Sequence, residues 1–166
     1  SVIKSLAASN TKNIMHITSV STFSENEICV EAEDGESWNI VTQKIVLSAG
    51  EGNADLLKQM KHAKPEMQVR PLQMVMVRGD LPEKLYAHCI GASVNPRITI
   101  TSGEDQQGRT VWYFGGQLAE DGINRTADEQ INKAKEELQS LMPWLNFSAM
   151  QWATLNINRA EPKQEE

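Results

Sequence analysis

Hydrophobic and polar positions along this chain change period several times, and each change marks an element. The opening SVIKSLAASN carries Val2, Ile3 and Leu6 at helical spacing. That pattern predicts a short amphipathic helix, read as the last turns of a longer one in a chain that extends upstream of Ser1. From Asn13 the period becomes two: IMHITSV, EICVEAE and SWNIVTQ alternate apolar and polar residues and predict three strands. Asp34-Gly35 lies between the second and third, and such a pair serves a tight hairpin because both central positions can take positive φ. Residues 14–42 are therefore expected to form a three-stranded antiparallel meander.

The next stretch, KIVLSAGEGNADLL over residues 44–57, breaks the alternation. Its continuous apolar run predicts a strand covered on both faces, inside a sheet. After the glycines, Asn53 is expected to cap a helix carrying Leu56, Leu57 and Met60 that fades near Ala63, ahead of Pro65. LQMVMVRG predicts another strand. KLYAHCIG, RITITSG and, beyond the polar turn GEDQQG, TVWYFGG predict a second antiparallel set around residues 84–116. Thr126 and Glu129 have the spacing of a capping box, with Asp128 adding negative charge to the first turn. Ile131, Ala134, Leu138, Leu141, Met142 and Leu145 then form an apolar stripe that Pro143-Trp144 should end. MQWATLNINR predicts a last strand, and EPKQEE a frayed acidic tail. Two main helices among many strands predict an α+β fold with a largely antiparallel mixed sheet.

At 166 residues and 18.5 kDa the chain can remove roughly 70% of its unfolded surface from water, enough for a real core. Its net charge of -6, with no basic run to offset it, argues against a nucleic-acid partner. No apolar run approaches the ~20 residues of a membrane span. Cys29 and Cys89 stand in unrelated contexts, so reduced thiols and a cytoplasmic location are expected.

A strand, a glycine turn and a helix in that order are how many proteins cradle a phosphate. Here Gly50 and Gly52 fit the Gly-x-Gly-x-x-Gly fingerprint, but Asp55 stands at the third glycine, and with Glu51 it opposes a pyrophosphate. The same glycines can simply turn the backbone. His16, His62 and His88 have no metal-ligand spacing, and no Gly-x-Ser-x-Gly elbow is present. The aromatic residues of VWYFGG, with Trp144 and Trp152, read as core more readily than as a stacking platform. Arg159, near a proline turn, offers a guanidinium for a substrate carboxylate or phosphate, unless Glu161 pairs with it.

Taken in order, the meander, KIVLSAGEGNADLL, RPLQMVMVRGDL, the strand pair ending YFGGQLAEDG, TADEQINKAKEELQSLMPWL and WATLNINRAEP resemble the middle of the FAD-dependent oxidoreductases of the D-amino-acid oxidase and glycine oxidase type, a group that includes glycerol-3-phosphate dehydrogenases. Pro71 and the Val77-Arg78-Gly79 run are similar to that family's strand into its substrate domain, and Gly115 and Gly116 to its glycine pair before a long helix. The resemblance implies that Ser48, Ala49, Gly50 and Glu51 form a turn beside the adenosine part of FAD, the fingerprint glycines lying upstream. It implies that residues 1–63 contribute to the FAD domain, 64–160 form a substrate-binding domain and 161–166 are a tail. Arg159 would meet the substrate anion, although Trp152, Arg159 and Pro162 depart from the family's Trp-x-Gly-x-Arg-Pro spacing.

The implied function is that of a substrate-binding fragment whose parent oxidises a small amine or hydroxyl substrate by hydride transfer to FAD. The FAD would be held by the parent and not retained by the fragment. The implied partners are the FAD-binding portion of the same chain and a small polar or anionic substrate; catalytic residues are not identified. The alternative is a self-contained α+β ligand- or protein-binding module without catalysis.

Overall fold

The computed structural model describes residues 2–24, 26–62, 64–91 and 95–163. The chain divides into two compact units, Ser1–Met67 with Pro162–Glu166, and Gln68–Glu161.

The first unit opens with α1 (Val2–Ser9), on which Val2, Ile3 and Leu6 are all exposed. Strands β1 (Ile17–Phe23), β2 (Glu27–Ala32) and β3 (Ser37–Val41) then form the expected meander in the order β1-β2-β3, both pairs antiparallel. The β2–β3 turn differs in detail from the expectation, because Gly35 takes positive φ (83°) and Asp34 does not. The Asp34 carboxylate instead accepts the Glu36 N–H at 3.0 Å, so one left-handed glycine and one side-chain bond close the turn. Among the described residues of this unit, Val30 is the buried hydrophobic side chain.

Residues 44–49 form no strand, contrary to the expectation of a sheet interior. Ile45 and Leu47 are half-buried while Val46 is 87% exposed. A strand needs neighbours for its N–H and C=O groups, and none of the described strands of this unit pairs with the segment. A 3-10 turn, Gly50–Gly52, leads into α2 (Asn53–Gln59). Asn53 lies inside that helix and does not cap it. Its Oδ1 accepts the Ala49 N–H at 2.8 Å and its Nδ2 donates to the Leu47 carbonyl at 3.4 Å, which ties the glycine turn to the helix that follows. The helix stops at Gln59, and Ala63, where it was expected to fade, lies outside the described residues. Lys61 turns left-handed (φ 59°) and the His62 N–H reaches the Leu57 carbonyl at 2.9 Å, a Schellman-type end that needs no proline.

The second unit contains β4 (Met67–Arg78), β5 (Ala87–Ile90), β6 (Pro96–Glu104), β7 (Thr110–Gly115), α3 (Gln117–Asp121), α4 (Ala127–Leu141) and β8 (Gln151–Pro162). The sheet order is β5-β6-β7-β4-β8, with β5–β6, β6–β7 and β7–β4 antiparallel. The fold is α+β. Helix α4 starts as its sequence predicts: the Glu129 N–H bonds the Thr126 hydroxyl at 3.3 Å, and the Thr126 N–H bonds the Glu129 carboxylate at 2.8 Å. Its Ala134 and Leu138 pack with Met142 on Val75, Val77, Ile98, Ile100, Trp112 and Phe114 of the sheet.

Two features of this unit escape the sequence pattern. Short α3 has too few turns to show a period. Gln130, polar yet on the helix face of Ala134 and Leu138, is fully buried: its Nε2 donates to the Gln73 and Leu118 carbonyls, both at 2.9 Å, and its Oε1 accepts Arg125 Nη1 at 2.8 Å. The amide lies where a Cβ on Gly122 would sit, so glycine there makes room for the hub. Strand β8 continues past Arg159 to Pro162, and the Lys163 N–H bonds the Glu66 carbonyl at 2.7 Å. Of the expected tail, residues 164–166 lie outside the described residues.

Candidate functional site

Alternation along the strands gives the five-stranded sheet two unlike faces. Val75, Val77, Ile98, Ile100, Trp112 and Phe114 point to the helix side and belong to the core. Their neighbours Met76, Thr99, Thr101 and Tyr113 therefore share the other face, where Thr101 is exposed and the rest are half-buried. Cross-strand register aligns Met76, Tyr113 and Thr101 in one row, and Arg78, Val111 and Gly103 in the next. Two glycines let these side chains lie down: a Cβ on Gly103 would meet the Tyr113 ring at 2.9 Å, and one on Gly115 would meet the Thr99 hydroxyl at 2.7 Å.

At one end of this face is a cavity of about 520 Å³. Met76, Val111, Tyr113 and Ala153 make its apolar part, and Arg78, Asp105 and Gln151 its polar end. Arg78, on the last residue of β4, donates through Nε to Gln151 Oε1 (2.7 Å) and through Nη1 to Asp105 Oδ2 (3.1 Å). Asp105 opens the β6–β7 turn. Its Oδ1 accepts the backbone N–H groups of Gln107 (2.9 Å) and Arg109 (3.0 Å), and its Oδ2 also takes Arg109 Nε at 2.8 Å. These donors, led by the Arg109 backbone N–H, lower the carboxyl to a pKa of about 2. Asp105 is thus an anion whose lone pairs are already occupied.

The residues singled out from sequence fall in both units. Ser48, Ala49, Gly50 and Glu51 are exposed in the first, and Gly50 adopts φ 60° with open space where a side chain would start. The turn held by Asn53 therefore offers accessible backbone flanked by the Glu51 and Asp55 carboxylates. That composition suits sugar hydroxyls or a base edge and disfavours a diphosphate. Arg159 belongs to the second unit, inside β8, where its Nη2 pairs with Glu161 at 3.0 Å. Glu161 also accepts Arg70 Nη1 (3.1 Å) and Gln68 Nε2 (3.1 Å), and Arg70 Nη2 reaches Glu120 at 2.8 Å. The Arg70 hydrogen bond is the main cause of a lowered Glu161 pKa. Two guanidiniums and two carboxylates leave that network neutral.

The Arg78, Asp105 and Gln151 constellation was not apparent in the sequence, since its members come from three separated segments. One local signal existed: period two through LQMVMVR puts Arg78 on the face of Met76, and an Asp at a turn with Arg four residues on can close a ring. The aromatic segment divides, with Trp112 and Phe114 buried, Trp152 stacked on Phe114 at 6.3 Å, and Trp144 exposed. Among the described residues no group of His, Cys, Asp and Glu side chains could hold a metal ion, both cysteines are free, and no helix is long and apolar enough to cross a membrane.

No protein-family model matches the chain. It is 46% identical over 138 residues to a Pseudomonas aeruginosa protein named "Probable FAD-dependent oxidoreductase PA4991", which covers 82% of this chain and 34% of that protein. The crystal structure of the FAD dependent oxidoreductase PA4991 from the same organism matches with a TM-score of 0.81 at 41% identity, covering 98% of this chain and 45% of that one. The chain therefore spans between a third and a half of the relative it matches, and resembles part of an FAD-dependent oxidoreductase.

Proposed function

We propose that this sequence is the substrate-binding part of a flavoprotein oxidoreductase of the D-amino-acid oxidase type, with the open sheet face of the Gln68–Glu161 unit as one wall of the substrate site. The observation that carries this reading is the contrast between the faces of that sheet: one is sealed by α4, while the other presents Met76, Thr101 and Tyr113 beside a cavity of about 520 Å³. Similarity to part of an FAD-dependent oxidoreductase supplies the chemical context. FAD bound in the whole protein supplies the hydride acceptor for oxidation of a C–N or C–O bond in a small polar or anionic molecule. The wall residues orient that molecule and exclude water.

Ser48, Ala49, Gly50 and Glu51 are proposed to lie near the adenosine part of FAD. Their carboxylate-flanked turn lacks the charge to hold a diphosphate, so the chain by itself does not retain FAD and has no activity. The FAD-binding portion of the whole protein is its partner, and it gives the apolar segment around Val46 the neighbours that the segment lacks here. A cytoplasmic location goes with this reading.

Visible spectra with FAD test it. The full-length protein should purify with an oxidised flavin band, while the 166-residue chain mixed with FAD and desalted should be colourless. A stable stoichiometric yellow complex of the chain alone would overturn the division of labour. In the full-length protein, Thr101→Trp on the open face should slow flavin reduction by substrate and leave the oxidised spectrum unchanged. Unaltered reduction would remove the sheet face from the site.

A further inference from the structure

Gly103 stands on the open face with no backbone reason to be glycine. It lies inside β6, opposite Val111 of β7, and is not among the glycines that take positive φ, so any residue could adopt its conformation. A glycine inside a strand weakens it, and marks places where something must come close to the backbone. Here that something is Tyr113. A Cβ on Gly103 would lie 2.9 Å from Cε2 of the ring and 3.6 Å from its Cζ and hydroxyl oxygen.

No hydrogen bond holds the ring there, because the Tyr113 hydroxyl has no partner among the described residues. Tyr113 stands between Met76 and Thr101 in its own cross-strand row, and its ring reaches over the next row at the one position without a side chain. Space seats it. Tyr113 lines the cavity of about 520 Å³ and Gly103 does not, so Gly103 acts on the cavity through the ring. With Met76 and Thr101 filling its row, a ring pushed off Gly103 rises from the sheet into that cavity. We propose that Gly103 is a positioning residue that sets how large a molecule the open face admits: bare backbone at 103 lets Tyr113 lie flat, and the flat ring keeps the cavity deep. This deepens the reading of the open face as a substrate wall and rests on it.

Phenol and 2-naphthol, which differ by one fused ring, are suitable probes. Titrated into the 166-residue chain and followed by proton–nitrogen NMR, both should shift the Gln151 side-chain amide and the Trp152 indole N–H, which belong to the cavity lining. Gly103→Ala should weaken 2-naphthol about tenfold and phenol much less, since one carbon in an apolar pocket discriminates by about that factor. Tyr113→Phe should bind both probes as the parent does, because no hydrogen bond is lost. Tyr113→Ala, which leaves Gly103 in place, should raise the preference for 2-naphthol over phenol, so the proposal does not depend on how one variant folds. Adding Gly103→Ala to Tyr113→Ala should then change that preference by less than about twofold, because the methyl group acts only through the ring. A glycine serving β6 alone would lower stability and leave the preference unchanged. That result, or a parent in which neither probe shifts Gln151 or Trp152, overturns the proposal. The full-length flavoprotein separates it from the reading beneath it, where 2-naphthol in a substrate wall should perturb the oxidised flavin band and do so about tenfold more weakly in Gly103→Ala. A preference that moves in the chain while the flavin band stays silent sinks the substrate wall and leaves the size limit. An equal flavin response in parent and Gly103→Ala sinks the size limit and leaves the wall.

Discussion

Both units are built from alternating antiparallel strands, and they differ in what the alternation finds to pack against. In Gln68–Glu161 the apolar face of the sheet meets the stripe of α4, and Val75, Ile98, Trp112 and Phe114 vanish from solvent. In the meander, Trp38, Ile40 and Val41 of β3 remain exposed, and Val30 is the buried apolar residue among those described. The lesson is that a strand pattern specifies a layer, and a core needs two. A sheet face without its second layer stays open, and on the function proposed above a small molecule covers it in the second unit and the rest of a larger protein in the first.

The comparison can be broken most forcefully at a large, fully buried side chain. Phe114→Ala should destabilise the chain by about 3–5 kcal/mol in urea unfolding, because it removes a ring fully enclosed between sheet and helix. A loss below 1 kcal/mol would mean the second unit is no better packed than the first. Next in size is Gln130→Met, which fills similar volume but strands the Gln73 and Leu118 carbonyls and the Arg125 guanidinium. About 1–3 kcal/mol should be lost, visible as a lower Tm. Thr126→Ala should cost about 1 kcal/mol by opening the reciprocal cap of α4.

Acid sharpens the same contrast. Folding lowers the pKa of Asp105 to about 2, chiefly through the Arg109 N–H, and lowers Glu129 through Thr126 and Glu161 through Arg70. Folded pKa values below the unfolded ones mean stability that is complete above roughly pH 4 and is lost as pH falls towards 2. Unfolding midpoints between pH 5 and 2 should therefore fall in the parent and fall less steeply in Asp105→Asn. Equal slopes would remove Asp105 from the account. The smallest effect belongs to the first unit: Val46→Ser should change stability of this chain by no more than about 0.5 kcal/mol. In the full-length protein it should cost about 1 kcal/mol or more if the segment is covered there.

Where local chemistry suffices, the sequence was readable. Period two announced the meander, and Thr126 with Glu129 announced the start of α4 to the residue, because a capping box is made by side chains three positions apart. The flaws came where a local rule had two solutions. Asn53 could bond forward into its helix or back to Ala49, and it bonds back. A run like that of residues 44–49 is a strand only if partners exist. The cavity at Arg78 was out of reach, since Arg78, Asp105 and Gln151 meet only after β4, the β6–β7 turn and β8 have been brought together.

By itself, then, the amino-acid sequence determined the meander, the capped helix and the α+β class, all of which are written in patterns a few residues long. The tertiary structure decided the placing of β4 between β7 and β8, the burial of Gln130, and the meeting of Arg78 with Asp105 and Gln151. Those outcomes depend on pairings between distant segments. A side chain's charge and hydrogen-bond capacity are settled only by the neighbours that long-range pairing delivers.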